Sequence, residues 1–110
     1  MEVIVYFIQG EQTLLSTKLL GIKGVNQEQL RPSIEKSLYL TLVLALWNES
    51  NGFYKKLDTS AALHIELRVA GTDALIHGST ELNMHPHNPV FALGTTESSL
   101  NSWVNTVQAC

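Results

Sequence analysis

The residues best suited to chemistry lie in one alternating stretch. His64, Glu66 and Arg68 are spaced two apart between Leu63, Ile65, Leu67 and Val69, and His77 follows beyond Ala70-Gly71-Thr72-Asp73. A period of two puts His64, Glu66 and Arg68 on one side of a strand. A four-residue loop at 70–73 sets Val69 against Ala74, so Glu66 faces His77 and His64 faces Ser79. Glu81 extends the same face. A carboxylate opposite an imidazole is the arrangement a general base needs. It is also an ordinary cross-strand pair of opposite charge on a wet sheet surface, and that plainer reading is preferred.

His85-Pro86-His87 sets two imidazoles on one side of an extended segment, where they could share a metal ion. A structural site needs about four ligands, and no cysteine or aspartate cluster accompanies them. A polar loop with turn prolines is the simpler reading, and no metal or cofactor is expected. Serines lack a nucleophile elbow. Gly21-Ile22-Lys23-Gly24 is too short to cradle phosphate and lacks a Lys-Ser/Thr tail. Cys110 has nothing fixed nearby to lower its pKa.

The totals narrow the function classes. The 110 residues fit one domain, expected to span 1–110. Such a chain buries roughly two thirds of its unfolded surface and can fold without metal or disulfide staples. Net charge is −3, and the seven lysines and arginines are scattered, so a positive face for a phosphate backbone cannot be assembled. Nucleic acid is not an expected partner. Charged residues are 15% against 45% apolar, where soluble domains carry roughly 25% charged. A poorly charged surface points to a partner or self-association. A single cysteine implies no dependence on an oxidising compartment. Met1–Ile8 lacks a basic n-region and a cleavage site. The longest apolar run, Leu38–Trp47, is about half of what a membrane span needs. A cytoplasmic location without membrane contact is the expectation.

The elements that would position these residues are legible in the pattern. Val3–Ile8 is apolar on both faces and predicts a central strand covered on both sides. Gly10-Glu11 suits a two-residue hairpin turn. Residues 13–22 read as either strand or helix. The strand is preferred, with Leu14 opposite Phe7. A helical turn at Gln27–Leu30, with Asn26 and Gln29 resembling a capping box, precedes a helix from Pro32 to Asn48. Asn51-Gly52 provides a left-handed stop. The alternating leucines at 38–46 also suit a strand, but leucine propensity and flanking punctuation favour helix. Residues 53–59 read as a connection. Ala62–Val69 and Leu75–Leu82 form the most secure hairpin, with Ile76, Gly78, Thr80 and Leu82 facing inward. Val90–Leu93 reads as a short edge strand. Thr95-Thr96 caps a last helix with Leu100, Trp103, Val104 and Val107 on one stripe. The fold class is α+β: an antiparallel sheet of two hairpins, with an optional fifth strand, packed by a long apolar helix and a C-terminal amphipathic helix, in the order ββαββ(β)α.

The central helix carries the functional inference. With Ile34, Leu38, Thr41, Leu42 and Ala45 toward the sheet, Leu40, Val43, Leu44 and Trp47 point elsewhere. A helix that is apolar all round must be covered all round, and two helices cannot cover both it and a two-faced strand. Tyr39 and Trp47 read as core aromatics, unless Trp47 and Trp103 meet at an interface, where Trp is enriched. The expected interface comprises Leu40, Val43, Leu44, Trp47 and Trp103. The preferred function is a non-enzymatic interaction domain, a homodimer or adaptor with a chaperone- or immunity-like role. The competing reading is a small-molecule-binding domain or minor enzyme, with a pocket between sheet and helix whose polar groups are drawn from His64, Glu66, His77, His85 and His87; His64, Glu66, Arg68 and His77 are the candidate polar ligand site.

Overall fold

A computed structural model describes residues 2–20, 27–82 and 89–108. The order is β1 (Val3–Gln9), β2 (Gln12–Lys18), a 3-10 turn at Gln27–Gln29, α1 (Leu30–Trp47), and a second 3-10 turn at Glu49–Asn51. Then follow α2 (Phe53–Lys56), β3 (Ala62–Val69), β4 (Leu75–Glu81), β5 (Ala92–Leu93) and α3 (Glu97–Gln108). The strands form one antiparallel sheet in the order β2-β1-β3-β4-β5. The ββαββ(β)α arrangement is as the sequence predicts.

One face of the sheet builds the core. Val3, Val5 and Phe7 of β1 are buried with Leu63, Ile65, Leu67 and Val69 of β3, and with Ile76 and Thr80 of β4. Leu30, Ile34, Ser37, Leu38, Thr41, Leu42 and Ala45 of α1 are buried with them. Each fully buried large aliphatic contributes roughly 1.5–3 kcal/mol over exposure. The stripe of α3 adds Leu100, Trp103 and Val104, with Val107 half-buried. The helix is capped by Thr96, whose hydroxyl oxygen accepts from the Ser99 amide at 3.2 Å.

The second face of β1 departs from expectation. Ile4, Tyr6 and Ile8 are only half-buried, and their sheet neighbours His64, Arg68, His77 and Glu81 are exposed. Among the described residues, no helix covers this side. An apolar strand therefore indicated two-sided cover that the layer count does not provide.

Other boundaries are corrected locally. The α1 helix begins at Leu30, so Pro32 is its third residue rather than near its first. Its first three amides have no intrahelical carbonyl to reach, so a proline there removes no bond. Gln29 occupies the cap position without a side-chain cap bond, and Asn26 lies outside the described residues. Gly52 is left-handed, at φ 70°, but it ends the 3-10 turn after Asn48 rather than α1 itself. The connection at 53–59 contains α2. Its Phe53 is fully buried, with its ring 5.3 Å from that of Phe7. The irregularity between Phe7 and Ile8 sets Leu15, not Leu14, opposite Phe7. The extra residue matches a β-bulge.

Candidate functional site

The exposed side of α1 carries three of the exposed large apolar residues of the described surface. From Ser37 to Asn48 the chain carries no charged side chain. Leu40, Leu44 and Trp47 follow i, i+4, i+7 spacing, which makes one stripe. They are 42%, 53% and 80% exposed. Val43 beside them is half-buried. The 80% exposure of Trp47 overturns its reading as a core aromatic. The helix has no acidic residue in its first turn and no basic residue in its last. Its own ends therefore add little favourable charge–dipole energy, and packing on the sheet holds it.

Trp103 does not belong to this surface. It is 3% exposed, inside the core beneath α3. Its stripe position suits either burial or an interface, and the sheet lies close enough to bury it. Among the described residues its indole Nε1 has no hydrogen-bond partner, a defect worth roughly 1–3 kcal/mol. Beside it, a cleft of about 380 Å³ is lined by Asp73, Ser98, Ser99, Ser102 and Thr106.

The stripe on α1 runs into the edge of β2. Leu20, just past that strand, is 40% exposed. Its amide donates to Thr41 Oγ1 at 3.0 Å, and the Thr41 hydroxyl donates to the Ser37 carbonyl at 2.8 Å. Thr41 thus satisfies its own buried hydroxyl and pins the chain leaving β2 against α1. A groove of about 260 Å³ at this seam is lined by Ser16, Thr17 and Leu20 on one side and Thr41, Leu44 and Asn48 on the other. Leu20 and Thr41 escape sequence reasoning because the seam joins elements far apart in the chain.

The polar constellation forms with its predicted register. Glu66 pairs with His77 and His64 with Ser79. The chemistry differs from a general base's. Arg68 donates to Glu66 Oε1 through Nη2 at 2.8 Å and Nε at 3.2 Å, and its guanidinium carbon sits 5.5 Å from the Tyr6 ring centroid. Glu66 makes no ion pair with His77 among the described contacts. The carboxylate is held by a same-strand cation in a half-open setting, where such pairs are worth about 0–1 kcal/mol. His64, Glu66, Arg68 and His77 project from the face opposite the helices, so they line no pocket between sheet and helix.

His85 and His87 lie outside the described residues, as does Cys110. Among the described residues, no three His, Cys, Asp or Glu side chains group as metal ligands. No described helix is long and apolar enough to cross a membrane. Asp58 forms a tight turn with Ser60. The Ser60 hydroxyl and then the Ser60 amide donate to its Oδ1, at 2.6 and 3.0 Å, and hold its pKa below the ordinary carboxylate value. The chain matches no family model, no curated protein and no solved structure.

Proposed function

We propose that this chain is a protein-interaction domain that works as a homodimer, with α1 as its contact element. The supporting observation is the uncharged stripe Leu40–Leu44–Trp47, which ends in a tryptophan 80% exposed. Each large apolar side chain left in water forgoes part of roughly 1.5–3 kcal/mol of burial. Aromatic anchors flanked by leucine are typical of interface centres. A two-fold symmetric pair is the commonest way one surface covers itself. Activity through an adaptor role, in a reducing cytoplasmic compartment, fits the single cysteine and the scattered charge.

Sedimentation velocity at micromolar concentration tests the reading. The wild-type chain is expected to sediment as a dimer, and Trp47→Ala and Leu44→Lys as monomers with unchanged circular dichroism. A wild-type chain that stays monomeric up to about 100 μM, a weak-complex concentration, overturns it.

A further inference from the structure

The two edges of the sheet are not alike. One ends on β5, only two residues long. The other ends on β2, seven residues long, with Lys18 its only charged residue. Long unpaired edges are templates for another strand, and natural sheets blunt them with charge, proline or short length. Here the β5 edge is blunted by its length, whereas the β2 edge carries one lysine and an irregularity at Leu14 and still keeps a regular run beyond it.

The ladder fixes which backbone groups of β2 are free. The Leu19 amide donates to the Val3 carbonyl at 2.8 Å, so Val3 and Leu19 form a hydrogen-bonded pair. Alternation along an antiparallel ladder, with the observed register, turns Thr17 toward β1. Ser16 and Lys18 then turn their amides and carbonyls outward. Leu20 continues the outward series, but Thr41 already occupies its amide. At the other end the irregularity at Leu14 breaks the regular run. Among the described residues, the regular segment with unpaired outward groups is therefore Ser16 to Lys18.

From this geometry we infer that a second copy of the chain pairs antiparallel with β2 about a two-fold axis at Thr17, joining two sheets into one of ten strands. The inference rests on the homodimer reading and specifies its contact. The axis at Thr17 sets Ser16 of each copy against Lys18 of the other, in hydrogen-bonded pairs that use all the free groups. It places the two Thr17 side chains in the close, non-hydrogen-bonded pair, a favourable cross-strand match. An axis at Lys18 opposes two like charges and calls on the occupied Leu20 amide. An axis at Ser16 runs into the irregular stretch at Leu14. The chosen axis also carries the Leu20–Leu44 seams of both copies to the same side of the joined sheet. The exposed parts of Leu20, Leu40, Leu44 and Trp47 come to roughly 400 Å², about half of the ~800 Å² each partner gives a standard interface. The outer side of β2 lies beside them to contribute more.

Disulfide trapping tests the axis. In a Cys110→Ser background, Thr17→Cys is expected to form a covalent dimer on mild oxidation, because the close pair lies within disulfide reach. Ser16→Cys and Lys18→Cys are each expected to cross-link at least about tenfold less alone, yet to cross-link with one another when mixed. Ser16→Pro removes only an outward amide and is expected to weaken the dimer about tenfold or more while circular dichroism stays unchanged. If the wild type sediments as a dimer but Thr17→Cys does not cross-link and Leu44→Cys does, strand pairing is overturned and the α1 contact stands. If the wild type is a monomer, both fall.

Discussion

Trp103 and Trp47 carry the same side chain into opposite settings, and the difference is open to measurement. Trp103 fills core volume with an unpaired indole N–H. Phenylalanine there loses contact area but removes the unpaired donor. These terms oppose each other, each on the order of 1–3 kcal/mol. Trp103→Phe is therefore expected to change unfolding free energy by no more than about 1 kcal/mol in urea titration, where Trp→Ala in a core costs about 3–5. A loss above about 3 kcal/mol would show that the indole is held by more than shape. Asp58 offers a test by titration. Its folded pKa is lowered by Ser60, so the turn at 58–60 gains stability above the unfolded pKa and loses it as pH falls through the folded one. The Asp58 carboxyl carbon is expected to titrate below the ordinary carboxylate value by NMR, and Ser60→Ala to move that midpoint upward.

Elements are tied together by a few residues that pattern does not single out. Arg31 reaches from α1 to the start of α3. Its Nε donates to Glu97 Oε1 at 2.8 Å, Nη1 to the Leu93 carbonyl at 3.1 Å and Nη2 to the Thr95 carbonyl at 2.5 Å. Hydrogen bonds to charged groups are worth about 1.5–3 kcal/mol, and this guanidinium is partly shielded. Arg31→Met keeps the stem and removes the fork. It is expected to lower the unfolding free energy by about 2 kcal/mol and to speed amide exchange in α3 more than in β1. Uniform loss across the molecule would contradict a local clamp. Gly78 is a second such point. A Cβ there would meet Leu93 Cδ2 at 3.0 Å, the Ala92 carbonyl at 3.1 Å and Ile65 Cδ1 at 3.1 Å. Gly78→Ala is expected to displace β5 and cost about 1–3 kcal/mol, as overpacking does. What sequence could and could not reveal follows this division. The β3–β4 register was readable because alternation of period two and a four-residue turn leave one solution. The stripe of α3 was readable because its polar half is unmistakable. Burial of Phe53, the reach of Arg31 and the seam between Leu20 and Thr41 depend on contacts between elements far apart in the chain, which no local period encodes. The two-sided apolar pattern of β1 overstates its cover for a related reason. Half-burial by neighbouring side chains in an open sheet suffices for Ile4, Tyr6 and Ile8, and hydrophobicity alone does not separate that from full cover.

At the scale of the whole molecule, the described helices occupy one face of the sheet and leave apolar surface on the open face around Tyr6 and on the ridge of α1. The open face is broken up by His64, Glu66, Arg68 and His77, whose charged and polar heads water solvates well. The ridge has no such relief between Ser37 and Asn48, and it borders the β2 edge of the sheet. Self-association at that border links folding to concentration, because a partner that binds only the folded chain stabilises it by mass action. A hundredfold rise in protein concentration above the dimer dissociation constant then raises the thermal midpoint by about 5–10 °C for a domain of this size. Leu44→Lys sits at an exposed position and should alter the intrinsic stability of one copy by no more than about 0.5 kcal/mol. Calorimetry across that concentration range is expected to show a rising midpoint for the wild type and a flat one for Leu44→Lys, with the two curves meeting at the dilute end. Parallel rising curves would place the contact elsewhere on the molecule. A flat wild-type curve would mean that the ridge is left in water by a chain stable enough alone to tolerate it.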